Sequence, residues 1–272
     1  MIQDIKPNIY RNNYSYQQIK DNDTVVFVNS DCVLIKEGEK LEYPKYSQVK
    51  DRNIEFTYLF SINDEKYFLA EIDERVELEG YSYENKQIFR ERGPKYLAFA
   101  GITATQLNNW YRNNRYCGRC SKPLIKSKVE RALKCPECKN IIYPKISPAV
   151  IVGIINKDKI LVTKYAGKEK GKYALVAGFV EIGETLEETV RREVMEEVGI
   201  KVKNITYYKN QPWSFTDTLL VGFYCELDGS DEIKMDESEL CVAEWKSREE
   251  LDVKSNDLSL TNEMIVNFLN QK

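Results

Sequence analysis

Two residues separate Cys117 from Cys120, two separate Cys135 from Cys138, and fourteen lie between the pairs. Each Cys-x-x-Cys turn presents two sulfurs to one point. Four thiolates around one point satisfy the tetrahedral preference of zinc. Because all four ligands close the site, the expected ion is one structural Zn²⁺ per chain, held by Cys117, Cys120, Cys135 and Cys138. A redox Cys-x-x-Cys expects a single motif within a βαβ pattern, whereas an iron–sulfur cluster is the other reading of four thiolates. The chain has seven cysteines, and an odd number does not suit a secreted disulfide framework. Cys32, Cys225 and Cys241 sit among apolar residues and are expected as buried small hydrophobes.

Histidine is absent. That excludes Ser-His and Cys-His nucleophiles and any imidazole ligand, leaving carboxylates, thiolates, Lys, Tyr or bound metals to do chemistry. Between Arg115 and Lys145 nine cations face only Glu130 and Glu137, so this window carries about +7 within a chain of net charge −3. Four thiolates with one zinc reduce it to about +5. This basic face suits phosphates or simply solvent. The longest apolar run, 149–155, is too short to span a bilayer, so no membrane segment is expected. The N-terminus lacks a basic-then-apolar pattern, so no signal peptide is expected either, and cytoplasm is the default location.

The 272 residues suit two or three modest domains. Residues 1–111 read as a β-rich domain with short strand-prone runs, including a hairpin of 58–62 and 67–70 around Asn63-Asp64-Glu65. Leu107, Trp110 and Tyr111 recur at helical spacing and predict a helix over 103–114, with Thr103 or Thr105 as its cap. Residues 112–145 carry the cysteines, with room for a short strand and turn as in a zinc ribbon. From 146 to 272 strands and helices alternate. A buried hairpin of 149–155 and 159–163 precedes a helix over 185–198. A strand over 219–225 and a helix over 260–269 follow, the latter with Ile265, Phe268 and Leu269 on one face. The fold class is α+β.

The helix over 185–198 is the most informative segment. Thr185 and Glu188 make a capping box, Gly199 ends the helix, and Leu186, Val190, Val194 and Val198 form a stripe of step four. At 100° per residue, Glu193 and Glu197 lie within about 40° of each other, and Glu196 is about 60° beyond Glu193. The cluster borders the apolar stripe. Carboxylates held at a core edge repel one another and lose hydration, so they call for a cation. Arg192 offers one positive charge, but Mg²⁺ or Mn²⁺ better matches several oxygen ligands. The alternative is a solvated acidic helix.

The flanks weigh against that alternative. Gly178, five residues, Glu184, seven residues, Arg192-Glu193, then Glu196-Glu197 and Gly199 follow the Nudix box position by position. The chain resembles Nudix hydrolases, which cut a nucleoside diphosphate linked to another group. The resemblance implies an α/β/α sandwich over 146–272. It makes Glu193 and Glu197 metal ligands together with the Ala177 carbonyl and, from a later turn, Glu239. Glu196 supports them, and Arg192 holds the helix carboxylates in place. Divalent ions would neutralise the pyrophosphate, activate water and hold the attacking and leaving oxygens in line.

A four-cysteine ribbon before a Nudix domain resembles the NADH pyrophosphatases, also known as NAD-capped RNA hydrolases. So does Tyr143-Pro144-Lys145-Ile146-Ser147-Pro148, and so does Gln211-Pro212-Trp213-Ser214-Phe215-Thr216-Asp217-Thr218, which is similar to their marker octapeptide. Ser214 and Thr216 stand where the family has prolines, and Thr218 where it has serine, so the loop is less rigid. The resemblance implies that Phe179 and Tyr143 sandwich the nicotinamide ring and that the tyrosine comes from a second subunit, hence a homodimer. It also places Glu130, the octapeptide and Thr261 at the nucleotide. Trp213 and Phe215 equally suit core packing.

The implied reaction is hydrolysis of NADH or NAD⁺ to NMN(H) and AMP, and also removal of the NAD cap from RNA. ADP-ribose or a dinucleoside polyphosphate is the alternative substrate, favoured by the altered octapeptide. A nucleic-acid-binding module without catalysis is the reading from another class, and the intact carboxylates argue against it.

Overall fold

The computed structural model describes residues 1–167 and 173–271. Two compact units emerge. One holds Ile2–Lys145 with Ser214–Thr216; the other holds Met1, Ile146–Trp213 and Asp217–Lys272. The β-rich segment and the cysteine segment therefore share one unit.

In the first unit, β1 (Tyr10–Arg11), β2 (Thr24–Asn29), β3 (Cys32–Lys36), β4 (Glu55–Ile62), β5 (Glu65–Glu71) and β6 (Tyr81–Asn85) form a sheet of order β1-β4-β5-β2-β3-β6. The hairpin of β4 and β5 turns at Asn63, which takes a left-handed φ of 55°. Helix α1 spans Lys95–Asn113, not 103–114. Pro94 caps it, so neither Thr103 nor Thr105 does; Thr105 instead donates its hydroxyl to the Gly101 carbonyl at 2.8 Å. Gly101 hides the early turns from a sequence pattern, yet it is there for packing. A Cβ at that position would meet the Tyr43 hydroxyl at 2.1 Å and the Phe89 ring at 2.3 Å.

Strands β7 (Ile125–Lys126), β8 (Leu133–Lys134) and β9 (Ile141–Ile142) make the small ribbon sheet. It is tied to the larger sheet by polar contacts. Arg131 donates to the Leu59 carbonyl and lies 5.4 Å from the Tyr14 ring centre. Tyr14 donates to the Ser127 carbonyl at 2.9 Å, and Lys126 donates to Thr57 at 2.8 Å and to Glu71.

The second unit is an α/β/α sandwich. Strands β10 (Ser147–Asn156), β11 (Lys159–Tyr165), β12 (Val176–Phe179), β13 (Val202–Trp213), β14 (Thr218–Leu227) and β15 (Leu240–Ser247) lie between α2 (Leu186–Val198) and α3 (Leu260–Asn270). Sheet order is β13-β14-β10-β11-β15, with β12 also on β10. Strand β10 pairs antiparallel with β11 and parallel with β14, from Ser147 opposite Thr218 to Ile155 opposite Glu226. Its side chains alternate between two cores. Val150, Val152 and Ile154 join Val190, Val194 and Val198 of α2, while Ile151 joins Met264, Ile265 and Phe268 of α3.

Cys225 is buried and Cys32 half-buried, but Cys241 is exposed. Cys241 lies on β15, the outer strand of the sheet, and its thiol faces the Lys164 and Tyr165 carbonyls at a β-bulge. Neighbouring apolar residues in sequence do not bury an edge position. Among the described residues, no helix is long and apolar enough to cross a membrane.

Candidate functional site

Strand β12 brings Gly178 directly against the helix α2 carboxylates. A Cβ at Gly178 would lie 1.9 Å from the Glu193 carboxyl carbon, so only glycine leaves room for this carboxylate. A glycine inside a strand signals such a close approach, but the sequence alone did not identify Glu193 as the neighbour.

Helix α2 forms as its caps demand. Thr185 accepts from the Glu188 N–H at 3.3 Å while Glu188 accepts from the Thr185 N–H at 2.8 Å. Gly199 closes the helix at a φ of 69°. Within this frame Arg192 is a hub. Its Nε and Nη2 grip both Glu184 oxygens at 2.7 and 2.9 Å. Its Nη1 reaches Glu193 at 2.7 Å and Glu196 at 2.9 Å, and Nη2 also donates to the Phe179 carbonyl at 2.9 Å. The guanidinium holds Glu184 down at a pKa of about 2. Sequence reasoning left Glu184 without a role; here it fixes Arg192 from the loop before the helix.

Glu197 is 2 % exposed. One of its oxygens accepts from the Ala177 N–H at 3.3 Å, and Oε2 has no hydrogen-bond partner among the described residues. Burial pushes its pKa up to about 8 against the Ala177 N–H, with Glu193, Glu239 and Asp236 adding to the rise. Glu193 is raised too, first by burial, with Glu196 and Glu239 contributing. Glu239 lies in the turn before β15, where its carbonyl accepts from Ala166 N–H at 2.8 Å.

A buried carboxylate oxygen without a donor, beside further carboxylates, is a place for a hard cation. Oxygen donors of this kind suit a divalent cation, although the ligand atoms of Glu193, Glu197 and Glu239 do not all lie within 4.8 Å of one another as the four cysteines do. Gly178→Ala is expected to displace Glu193 and weaken Mn²⁺ binding by about tenfold or more, as read by calorimetry, with the fold retained. Unchanged affinity would show that the close approach does not shape the site.

Cys117, Cys120, Cys135 and Cys138 place their sulfurs within 4.8 Å of one another, with 3.5 Å between Cys117 and Cys138 and 3.4 Å between Cys120 and Cys135. Tetrahedral zinc thiolates would set these edges at about 3.8 Å, so the cluster fits the ion. The Arg119 N–H donates to the Cys117 sulfur and leads the fall of its pKa, while Cys120, despite the Lys122 N–H, is held up by the neighbouring Cys135 thiol.

The other expected contacts fall into two groups. Phe179 and Tyr143 are each 57 % exposed, so their rings have free surface. Tyr143 donates to Glu130 at 3.4 Å, and Lys134 pairs with Glu130. Gln211 and Phe215 are instead built into the protein. Gln211 is fully buried; it donates to the Leu258 carbonyl at 2.9 Å and accepts from the Leu260 N–H at 2.7 Å, fixing the start of α3. Phe215 is buried with the Arg90 guanidinium 4.4 Å from its ring centre. Pro212 and Trp213 end β13 and Thr218 opens β14, with Pro212 exposed, Trp213 half-buried and Thr218 buried. Ser214 is buried, Thr216 exposed, and Asp217 turns the chain at a φ of 57°. Thr261 lies half-buried in the first turn of α3.

Residues 145–265 match the NUDIX domain family, and residues 112–143 match the NADH pyrophosphatase zinc ribbon domain. The NAD-capped RNA hydrolase NudC of Salmonella typhimurium strain LT2 is 44% identical over 164 residues, covering 60% of this chain and 62% of that protein. Its counterpart in Salmonella typhi is 43% identical over the same shares. The match thus spans less than two thirds of these relatives. Among solved structures, a NUDIX hydrolase from Nitrosomonas europaea superposes with a TM-score of 0.48 at 21% identity, covering 57% of this chain and 90% of that one.

Proposed function

We propose, from the premise that this chain carries a Nudix domain directly behind an NADH pyrophosphatase zinc ribbon, that it hydrolyses the pyrophosphate bond of NADH or NAD⁺. The products are NMN(H) and AMP, and removal of an NAD cap from RNA cuts the same bond. The observation that carries the reading is the buried Glu197 with its unpartnered oxygen, in the electrostatic field of Glu193 and Glu239. This donor set calls for a divalent ion where the family cuts a charged anhydride.

Each residue then has a task. Glu193, Glu197, Glu239 and the Ala177 carbonyl hold Mg²⁺ or Mn²⁺, which would neutralise the pyrophosphate and activate water. Arg192, fixed by Glu184, sets the positions of Glu193 and Glu196. Glu196 has the most exposed carboxylate of the helix cluster and accepts the proton of the attacking water. Phe179 offers a ring face to the nicotinamide, and Tyr143 of a second copy of the chain offers the other. Glu130, Trp213, Thr261 and the exposed part of the octapeptide serve the rest of the nucleotide.

The ribbon segment exposes Tyr116, Ile125, Val129, Ile141 and Tyr143, apolar surface that a homodimer would cover. Cytoplasm remains the proposed location. The three-part division at 112 and 146 is retained as the functional one.

A second substrate class has its own support. Gln211 and Phe215 are engaged inside the protein, so the octapeptide offers fewer groups to a dinucleotide than its sequence implies. Purified protein with NADH, NAD⁺ and ADP-ribose, with Mg²⁺ or Mn²⁺ and without either, decides between them by chromatography. Metal-dependent NMNH and AMP, with NADH preferred, is the expected result. AMP from ADP-ribose alone would move the substrate and keep the chemistry.

A further inference from the structure

A cavity of about 540 Å³ opens within the first unit, bordered by the end of α1, the ends of β4 and β5, and β7 of the ribbon. Its size suits a small molecule. Nothing in the proposed reaction uses it.

Its walls carry three cations, and they differ in how far their charge is spent. Lys126 pairs with Glu71 and also donates to Thr57. Arg115 pairs with Asp73, but both side chains are more than half exposed, and such surface pairs exchange readily. Arg112 has no ion pair among the described residues, and its buried Nη1 has no hydrogen-bond acceptor there. Glu55 also borders the cavity but is itself solvent-exposed. The formal charges of the wall balance, and Arg112 is its one cation without a carboxylate partner among the described residues.

The neutral groups point the same way. Asn108 is 4 % exposed yet lines the cavity, and its amide makes one long hydrogen bond, 3.4 Å to Asn109. A buried amide with spare donors and acceptors suits the edge of a base. Tyr111 lines the same wall, its phenol hydrogen-bonded to Arg131 and its ring 5.6 Å from the Lys126 ammonium. A phosphomonoester carries about two negative charges near pH 7. It can satisfy Arg112 by a change of rotamer and draw Arg115 from its exposed pair. Guanidinium forks match phosphate oxygens in geometry.

We infer that this cavity binds a phosphomonoester of mononucleotide size, with the phosphate on Arg112 and Arg115 and the base against Asn108 and Tyr111. The inference does not depend on which substrate the Nudix domain cuts.

The test uses the full zinc-loaded chain and AMP as the probe, titrated by calorimetry without Mg²⁺ or Mn²⁺. Arg112→Met should weaken AMP binding at least tenfold, while the Mn²⁺ affinity of the Nudix glutamates stays within twofold of the parent. Adenosine, which lacks the phosphate, should bind at least tenfold more weakly than AMP. Equal affinity of parent and variant, or of AMP and adenosine, would overturn the inference. Should Arg112→Met not fold, Asn108→Leu fills the same wall and carries the same expectation. A parent crystal soaked in AMP gives a reading that needs no variant. Density beside Arg112 supports the site, and density at the Nudix glutamates alone overturns it.

Discussion

Glu197→Gln is expected to lower turnover by about a thousandfold or more, a loss of about 4 kcal/mol of transition-state stabilisation, while making the metal-free protein more stable at pH 8. The two effects share one cause. Burial holds the carboxyl at a pKa of about 8, whereas the ordinary value is 4.5. The native state thus keeps a proton that the unfolded chain gives up. Stability must fall as pH rises from about 4.5 to about 8, by up to about 5 kcal/mol, and below that window the penalty is absent. Glutamine removes the titration and flattens the profile. Added Mn²⁺ should restore the parent at pH 8 and do little for the variant. Thermal unfolding from pH 5 to 8, beside an activity assay, reads both effects. Parallel pH profiles would remove Glu197 as the source of the slope, and retained turnover would remove it from the reaction.

Loss of zinc should be as severe, but in the other unit. Structural zinc contributes roughly 10–16 kcal/mol in small zinc-binding peptides. Here the ion would organise the turns that carry Lys126, Ser127 and Arg131 to Thr57, Glu71, Tyr14 and Leu59. Cys117→Ser, or chelation of the parent, should therefore loosen the ribbon together with β4 and β5. The second unit has two cores of its own and should keep its protection in β10 and β14. Hydrogen exchange resolves the two. Unchanged protection of β4 and β5 after zinc loss would show that the ribbon is an independent appendage.

What the chain announces in sequence is what short-range chemistry specifies. The four cysteines needed only two turns to meet, and α2 begins and ends where Thr185, Glu188 and Gly199 place it. The step of Val190, Val194 and Val198 named the buried face, and the acids beside it pointed to the candidate site. Long-range packing hid the rest. Helix α1 runs through Gly101 because Tyr43 and Phe89 occupy the space of a Cβ, a fact no local propensity contains. Glu184 becomes the anchor of Arg192 only once the loop before α2 has its shape. Gln211 belongs to a motif that suggests a ligand, yet its amide is engaged by the backbone ahead of α3. Cys241 sits among apolar neighbours in sequence but lies on an outer strand.

The parallel pairing of β10 with β14 imposes an order on biosynthesis. Ser147 and Thr218 are strand neighbours, yet β11, β12, α2 and β13 all lie between them in the chain. On the ribosome the acidic helix is complete before β14, the central partner of β10, has been made. Until then Val190, Val194 and Val198 lack part of their core, which includes Val221 and Phe223 of that strand. Closure of so distant a pairing is entropically slow. The core over α2 can therefore close only after Val221 and Phe223 of β14 have been made.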